Sequence, residues 1–305
     1  MTDPRPFYFI INPNAGIGIR GFAPVATRLK ELKVPYFAAA TTDSGDARML
    51  AQLARHGDFR AIVCHGGDGT MNEIVNGLAT SDGMLDSDVT LGLIPSGTAQ
   101  DIARGLDLPR ARMAALDRLI HGKMTTVDVG RIRFADGRLH FFVNNVGAGF
   151  DAEVAERAQD MRGAITSFPA HVFGFASTLA VYRNKTITLA IEGRDDTLTR
   201  VRCNTVLAAN GPSYGGVMKL APTALMDDGL LDLVVIGDVD KLELLLNLPR
   251  AFAGTHLGHN KVAFERAQAF TLESEDDARV QADGEVIGRL PVRVDVLPRA
   301  LRLIR

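Results

Sequence analysis

The chain has 305 residues, of which 46% are hydrophobic and 23% charged, and its net charge is −2. These values are typical of a globular protein with room for two domains, and they exclude a strongly basic nucleic-acid-binding chain. Cys64 and Cys203 lie in apolar segments, so we expect buried thiols and a reducing, cytoplasmic setting. We find no signal-peptide pattern and no stretch of about 18 apolar residues that would span a membrane.

Apolar strands alternate with helical segments in the first part of the chain. We predict strands at 7–11, 36–40, 61–64 and 89–94, and helices at 22–32 and 47–55, with Ser44 as a candidate cap of the second helix. This alternation predicts an α/β domain with a parallel sheet, which binds ligands at the carboxyl ends of its strands.

Glycine-bearing loops follow three of these four strands. They are Asn12-Pro13-Asn14-Ala15-Gly16, Gly66-Gly67-Asp68-Gly69-Thr70-Met71-Asn72 and Pro95-Ser96-Gly97-Thr98. Glycine lets the backbone approach an anion, and the start of a helix offers free N–H groups. We therefore expect the loops to converge on one phosphate-bearing ligand. Neither the P-loop pattern nor the dinucleotide fingerprint is present.

The pattern changes after about residue 123, where strands dominate. We predict strands at 125–133 and 138–146, joined by a hairpin turn at Asp136-Gly137, and further strands at 185–192, 198–209 and 230–236. Two helical segments interrupt them, 152–182 with breaks near Gly163 and Pro169, and 240–256 with a break near Pro249. The chain thus divides into an α/β domain at 1–123 and a β-rich, sandwich-like domain at 124–296, and residues 297–305 return to the first.

The two helical segments of the second domain are unusually apolar. We expect their large side chains to be core, and the alternative is a lipid cleft or contact with a bilayer surface. They are Phe168, Val172, Phe173, Phe175, Leu179, Leu242, Leu244, Leu245, Leu246 and Leu248.

Six motifs occur in a fixed order along nearly the whole chain. They are Asn-Pro-x-Ala-Gly from residue 12, Gly-Gly-Asp-Gly-Thr-x-Asn-Glu from 66, Pro-x-Gly-Thr-x-x-Asp-x-Ala-Arg from 95, Asn-Gly-x-x-x-Gly-Gly from 210, Pro-x-Ala-x-x-Asp-Asp-Gly-x-Leu-Asp from 222 and Asp-Gly-Glu from 283. This order resembles the bacterial lipid kinases of the diacylglycerol-kinase catalytic domain family, in the phosphofructokinase/NAD-kinase-like superfamily. The last two motifs separate that branch from NAD kinases and phosphofructokinases. Gln100 departs from the family's usual asparagine.

The resemblance implies that the first domain binds ATP. The residues expected to line it are Asn12, Pro13, Asn14, Ala15, Gly16, Thr41, Gly66, Gly67, Asp68, Gly69, Thr70, Met71, Asn72 and Thr98. A carboxylate beside phosphates needs a cation between them, so we assign Asp68 to indirect Mg²⁺ coordination. The alternative for Asp68 is a carboxylate that caps a turn.

Glu285 resembles the family's proton acceptor, and Asp283 its close partner. The residues alone do not rank the two carboxylates, and Asp283-Gly284 by itself favours a hairpin turn. The Asp-Asp-Gly loop resembles a second, structural Mg²⁺ or Ca²⁺ site, with ligands from the carbonyls of Leu225 and Leu230 and the carboxylate of Asp228. A plain turn is the alternative there.

The resemblance implies an ATP-dependent lipid kinase with ATP and Mg²⁺ bound between its two domains. The lipid would be diacylglycerol-, phosphatidylglycerol- or sphingoid-like, reached by transient peripheral contact with a membrane surface. The alternatives are an NAD-kinase-like enzyme with a soluble substrate and a catalytically inactive nucleotide-binding regulator. A histidine beside a turn is more often structural than catalytic, and this is our interpretation of His65.

Overall fold

The computed structural model describes residues 3–16, 18–161, 167–194 and 199–305, without the side chains of residues 167–171. It divides the chain into two compact units, one formed by 1–128 and 298–305 and the other by 129–297. The boundary that we predicted near residue 123 thus lies a few residues later in the structure. The α/β class of the first part and the β-rich class of the second are confirmed.

The first unit is a parallel sheet with helices between its strands. Its strand order is β15-β4-β3-β1-β2, and all its neighbouring strands are parallel. The elements are β1 (Phe7–Ile11), α1 (Ala23–Glu31), β2 (Tyr36–Ala40), α2 (Asp46–Ala54), β3 (Ala61–Gly66), α3 (Asp68–Gly77), β4 (Thr90–Pro95), α4 (Asp101–Gly105), α5 (Arg112–His121) and the end of β15 (Val292–Ile304).

Strand β3 pairs with β1 along one edge and with β4 along the other. All six of its residues are buried, as the apolar run at 61–64 predicts for a central parallel strand. The core on one face joins Phe7, Phe9 and Val63 to apolar residues of α1 and α5. Parallel strands place their carboxyl ends on one edge, and the three glycine loops begin there.

The second unit is built mainly from antiparallel strands. After β5 (Met124–Phe134), which enters it from the first unit, its elements are β6 (Leu139–Phe142), β7 (Asn145–Gly149), α6 (Phe150–Asp160), α7 (Ser167–Val181), β8 (Lys185–Ile191), β9 (Thr199–Ala209), β10 (Leu231–Gly237), α8 (Lys241–Ala253), β11 (Val262–Ala267), β12 (Ala269–Ser274), β13 (Arg279–Ala282) and β14 (Glu285–Arg289). Antiparallel pairing runs through β14-β13-β7-β9-β8-β12 and on to β15. Its core contains Phe142, Phe270 and the alternate apolar residues of these strands.

Two predictions about strands and helices fail for identifiable reasons. The single strand predicted at 138–146 is two strands, because the backbone N–H groups of Val143, Asn144 and Asn145 turn to the carboxylate of Asp283. The break predicted near Pro249 is absent, and α8 continues through this residue. Pro249 is exposed, so water can reach the carbonyl that its missing N–H leaves unpaired.

The apolar helices differ from the core that we expected. None of the thirteen residues of α8, all of which the structure describes, is buried. Leu242 and Leu246 are 65% and 69% exposed, and Val172 and Phe173 of α7 are about half exposed. The interpretation of α8 as core is therefore wrong. The Phe168 side chain and the break predicted near Gly163 lie outside the described residues.

Candidate active site

The three glycine loops of the first unit contact one another. The side-chain amide of Asn12 donates to the hydroxyl of Thr70 over 2.9 Å, which joins the first loop to the second. The backbone N–H of Ser96 donates to the carbonyl of Gly66 over 2.8 Å, which joins the third loop to the second. The convergence expected from parallel strand ends is therefore present in the structure.

Glycine is required at two of these contacts. Gly16 has a φ of +62°, and a Cβ there would overlap the carbonyl oxygen of Ser96. A Cβ on Gly97 would lie 2.6 Å from the Cα of Gly67, closer than real Cβ atoms approach other heavy atoms. Because the backbones meet without side chains between them, their N–H groups can face a common ligand.

Asp68 opens helix α3 directly after the glycine turn. Its two carboxylate oxygens accept the backbone N–H groups of Asp101 and Ile102, each over 3.1 Å. Burial raises the pKa of the Asp68 carboxyl, and these N–H donors oppose that shift. The capping role that we kept as an alternative is thus observed. Each oxygen still has lone pairs, so water-mediated contact with a cation remains compatible with the capping role.

The other predicted nucleotide residues lie along the same edge with different roles. Thr41 follows β2 and donates its N–H to the carbonyl of Ile11 over 2.9 Å. Thr98 is exposed, whereas Met71 is fully buried and donates its N–H to Gly67 within the helix. Met71 therefore serves the core. The remaining loop members are Pro13, Asn14, Ala15, Gly69 and Asn72, and Asn72 is buried in the first turns of α3.

Ser96 is a residue that the sequence analysis missed. Its hydroxyl is buried where the loops meet and has no hydrogen-bond partner among the described residues. A buried hydroxyl without a partner costs free energy, so such a group where three glycine loops meet is a candidate ligand contact. The signal was present in Pro95-Ser96-Gly97, where a hydroxyl stands between a strand end and a glycine.

Gln100 has a left-handed conformation, with a φ of +56°. This region favours asparagine over longer side chains, which agrees with the family's usual residue at this position. The amide of Gln100 donates to the carbonyl of Gly97 over 3.0 Å. Gln100, with one methylene more than asparagine, therefore still makes a hydrogen bond within its own loop.

Asp283 is saturated by backbone donors in the second unit. Its carboxylate accepts N–H groups from Val143 over 2.8 Å, Asn144 over 2.9 Å and Asn145 over 3.0 Å. With φ of +48° at Asp283 and +85° at Gly284, the residues form the tight turn between β13 and β14. Glu285 begins β14 just after this turn and is half-buried.

The Asp-Asp-Gly loop forms a turn before β10. Asp228 accepts the N–H of Leu230 over 3.1 Å, and its other oxygen lies 3.9 Å from the guanidinium of Arg266. Arg266 also pairs with Asp232 over 3.0 Å. The turn alternative is therefore observed. The oxygen donors suit Mg²⁺ or Ca²⁺, although the Arg266 guanidinium shares the carboxylate, so the metal and the carbonyl ligands Leu225 and Leu230 stay predictions.

His65 is fully buried at the end of β3, and its ring packs edge-on against Phe22 at 5.5 Å between centroids. Burial lowers the pKa of His65 to about 4, so the imidazole is neutral at pH 7. Both cysteines are also buried without disulfides, and burial raises the pKa of Cys203 to about 12. The expected burial of the two thiols is confirmed, and the structural role of His65 stays a prediction.

Comparison with known proteins identifies the family of this chain. The model of the diacylglycerol kinase catalytic domain matches residues 6–132, and the model of the YegS C-terminal NAD kinase beta sandwich-like domain matches residues 144–305. The chain belongs to the diacylglycerol kinase catalytic domain family. Proteins named diacylglycerol kinase from Staphylococcus aureus strains NCTC 8325 and USA300 are 31% identical over 285 residues, covering 92% of this chain and 86% of theirs. This diacylglycerol kinase family member is thus a kinase, that is, a transferase.

Solved structures agree with the fold of this family member. A crystal structure of a diacylglycerol kinase from Bacillus anthracis str. Sterne has a TM-score of 0.72 and 21% sequence identity, over 98% of this chain and 96% of that chain. A second structure from the same organism gives a TM-score of 0.77 at 22% identity. At this identity the likeness concerns the fold alone.

Proposed function

We propose that this chain is an ATP-dependent lipid kinase that transfers the γ-phosphate of ATP to a lipid hydroxyl. The observation that carries the proposal is the convergence of the three glycine loops around the unpaired hydroxyl of Ser96. This is an arrangement suited to phosphate oxygens, in a chain whose relatives are named diacylglycerol kinase.

In this proposal the first unit binds the phosphates of ATP. The hydroxyls of Thr70, Ser96 and Thr98 and the backbone of the glycine loops would contact phosphate oxygens. Mg²⁺, when bound, would neutralise the charge that develops on the transferred phosphoryl group. Asp68 would hold that cation through water, since its oxygens already accept two backbone N–H groups.

Glu285 would be the general base that takes the proton from the lipid hydroxyl. Asp283 is poorly suited to that role, because three N–H groups at hydrogen-bond distance stabilise its charged form and occupy its lone pairs. Asp283 would instead position the turn that presents Glu285. The geometry thus favours Glu285 over Asp283 as the general base, a choice that the sequence left open.

The acceptor would be a diacylglycerol-, phosphatidylglycerol- or sphingoid-like lipid, reached by transient peripheral contact with a bilayer. The described part of the chain has no helix that is both long and apolar enough to cross a membrane. Helix α8 supports surface contact, because Leu242, Leu245 and Leu246 form an exposed apolar stripe at helical spacing. Exposed Lys241 and Arg250 on the same helix favour an anionic lipid surface.

The turn at Asp228 would bind a second, structural Mg²⁺ or Ca²⁺ through oxygen ligands. The support is limited to the chemistry of the donors, a carboxylate beside the carbonyls of Leu225 and Leu230. Binding would have to compete with the guanidinium of Arg266 for the carboxylate. Titration of the protein with each cation, read as a rise in thermal stability, tests this part of the proposal.

The proposed activity is tested by offering several acceptors at once. The protein is incubated with γ-labelled ATP, Mg²⁺ and mixed micelles of diacylglycerol, phosphatidylglycerol and a sphingoid base, with NAD as the soluble acceptor. We expect label in one lipid and none in NAD. Label in NAD alone would favour a soluble-substrate kinase. ATP binding without transfer to any acceptor would favour an inactive nucleotide-binding regulator.

A further inference from the structure

A buried carboxyl group lies beneath the turn that carries Glu285. Asp151, at the start of α6, is 7% exposed, and its hydrogen-bonding side-chain partners are neutral. One oxygen lies 2.5 Å from the hydroxyl of Thr205, and the other accepts the side-chain amide of Gln281 over 2.9 Å. The proposed reaction described above leaves this carboxyl group without a role.

The count of protons around Thr205 indicates the state of the carboxyl group. The Thr205 hydroxyl has one proton but lies within hydrogen-bond distance of two acceptors, Asp151 and the carbonyl of Ala148 at 3.1 Å. If Asp151 is a neutral acid, it donates to Thr205, and Thr205 donates to Ala148, so each contact has its own proton. Burial also raises the pKa of the Asp151 carboxyl, in agreement with this count.

Gln281 forms hydrogen bonds both to Asp151 and to the turn that precedes Glu285. Its side-chain NH₂ uses both protons, one toward Asp151 and one toward the side-chain oxygen of Asn145 over 2.9 Å. Its side-chain oxygen accepts the backbone N–H of Gly284 over 2.9 Å. Gly284 directly precedes Glu285, so the orientation of the Gln281 amide fixes the turn one residue before the proposed base.

The sequence leaves space for this contact. A Cβ on Gly147 of β7 would overlap the carboxylate of Asp151 and lie 2.9 Å from the side-chain nitrogen of Gln281. Only glycine at position 147 therefore leaves space for the hydrogen bond between Asp151 and Gln281. A second link between α6 and β13, the ion pair of Glu156 with Arg279, holds the same two elements together.

The charged neighbours of Asp151 are engaged with other groups. Glu153 on the same helix pairs with Lys185 of β8 over 3.3 Å, and Lys185 lies 5.7 Å above the ring of Tyr182. The hydroxyl of Tyr182 donates to the carbonyl of Asn204 over 2.9 Å. Burial, and then the nearby charge of Glu153, raise the pKa of Tyr182, so this phenol is neutral at pH 7.

We infer that Asp151 is a positioning residue for phosphoryl transfer. Held as a neutral carboxylic acid, it fixes the side-chain amide of Gln281, and Gln281 fixes the turn that presents Glu285. This inference rests on the proposed lipid-kinase function and deepens it. Asp151 would act on the reaction only through Gln281 and the turn.

Two variants of Asp151 separate a neutral from an ionised carboxyl group. Asp151→Asn can donate to Thr205 and accept from Gln281, as a neutral acid does, so we expect kcat and the hydrogen exchange of the Gly284 amide to stay near wild type. Asp151→Ala leaves the Gln281 amide unheld, so we expect kcat to fall about 10²-fold while the KM for ATP stays unchanged. Exchange of the Gly284 amide should then be faster.

Hydrogen exchange keeps the inference separable from the proposed function, because it needs no substrate. Faster exchange at Gly284 in Asp151→Ala, in a protein that phosphorylates no lipid, would refute the function and leave the positioning role standing. Unchanged exchange and kcat in Asp151→Ala would refute the positioning role. Equal losses in Asp151→Asn and Asp151→Ala would show that the carboxyl group acts as an anion.

Asp232→Asn is the matched control. Asp232 is 2% exposed and accepts the hydroxyl of Thr223 over 2.9 Å, but its charged partner is Arg266. This variant removes the carboxylate of an ion pair elsewhere in the same unit, so it should lower stability without changing exchange at Gly284. If it speeds exchange there as much as Asp151→Ala does, the effect is general destabilisation and the inference fails.

Discussion

Asp283 and Glu285 are separated by one residue, yet the structure predicts opposite consequences for their replacement. Asp283→Ala removes the acceptor of three backbone N–H groups, which belong to the buried residues Val143, Asn144 and Asn145. Leaving a buried donor unpaired costs about 1–3 kcal/mol, and water reaches part of this half-buried turn. We therefore expect the free energy of unfolding to fall by about 4 kcal/mol.

Glu285→Gln keeps the size and the half-buried position of the side chain but removes the proton acceptor. We expect a change of less than about 1 kcal/mol in the free energy of unfolding. Phosphoryl transfer should fall by about 10²–10⁴-fold, which is the usual contribution of a general base. Affinity for ATP should stay the same, because the ATP loops are in the first unit.

The loss of stability in Asp283→Ala is measured by urea unfolding. Far-ultraviolet circular dichroism follows the unfolding, because the sequence has no tryptophan to serve as a fluorescent probe. Asp283→Asn is the control, because one side-chain oxygen can still accept from Asn144 and Asn145, and we expect it to lose about 2 kcal/mol. Full stability in Asp283→Ala together with complete loss of transfer would refute the reasoning and make Asp283 the base.

Three further outcomes follow from single sites. Gly97→Ala places a Cβ against a facing backbone, so its Kd for ATP should rise about tenfold, whereas Gly258→Ala, with open space around it, should match wild type in a titration. Leu246→Ser should weaken binding to anionic vesicles in a sedimentation assay. Leu53 is equally exposed, and Leu53→Ser should bind as wild type does. Equal binding by both variants would show that α8 does not contact the membrane. Because burial lowers the pKa of His65 to about 4, the native state binds fewer protons than the unfolded state, and stability falls as pH drops from 6.5 toward 4. The stability advantage of wild type over His65→Gln should shrink by about 2 kcal/mol between about pH 7 and pH 4.5, and a constant difference would contradict this.

The fold was largely predictable, because the hydrophobic period and the residues of a turn determine strands, helices and turns over short stretches of sequence. The unbroken apolar run at β3 and the Asp136-Gly137 hairpin both follow from such local rules. The division of the strand predicted at 138–146 depended on a tertiary contact with Asp283, whereas another failure was local. The capping role predicted for Ser44 is wrong, because Gly45 precedes α2 without a side-chain cap and the carboxylate of Asp46 accepts the N–H groups of Thr42 and Asp43 instead.

The candidate site also contains some features that the sequence predicts and others that depend on the folded structure. The glycine loops were predictable from spacing, since glycine is needed wherever two backbones meet, as at Gly67 and Gly97. The unpaired state of the Ser96 hydroxyl and the burial of the Asp151 carboxyl were not predictable, because a sequence does not show which polar groups are buried or lack partners. The exposure of α8 also depends on which neighbours cover a helix, and hydrophobicity alone favoured the core.

The central claim is that this chain is a lipid kinase with Glu285 as its general base. It is tested most directly by single-turnover transfer of label from γ-labelled ATP to diacylglycerol in mixed micelles that contain Mg²⁺. Wild type and Glu285→Gln are compared at saturating ATP. The account predicts a labelled lipid phosphomonoester with wild type and at least a 10²-fold slower reaction with the variant, which still binds ATP. Equal rates for the two proteins, or label that appears only in a soluble acceptor such as NAD, would contradict it.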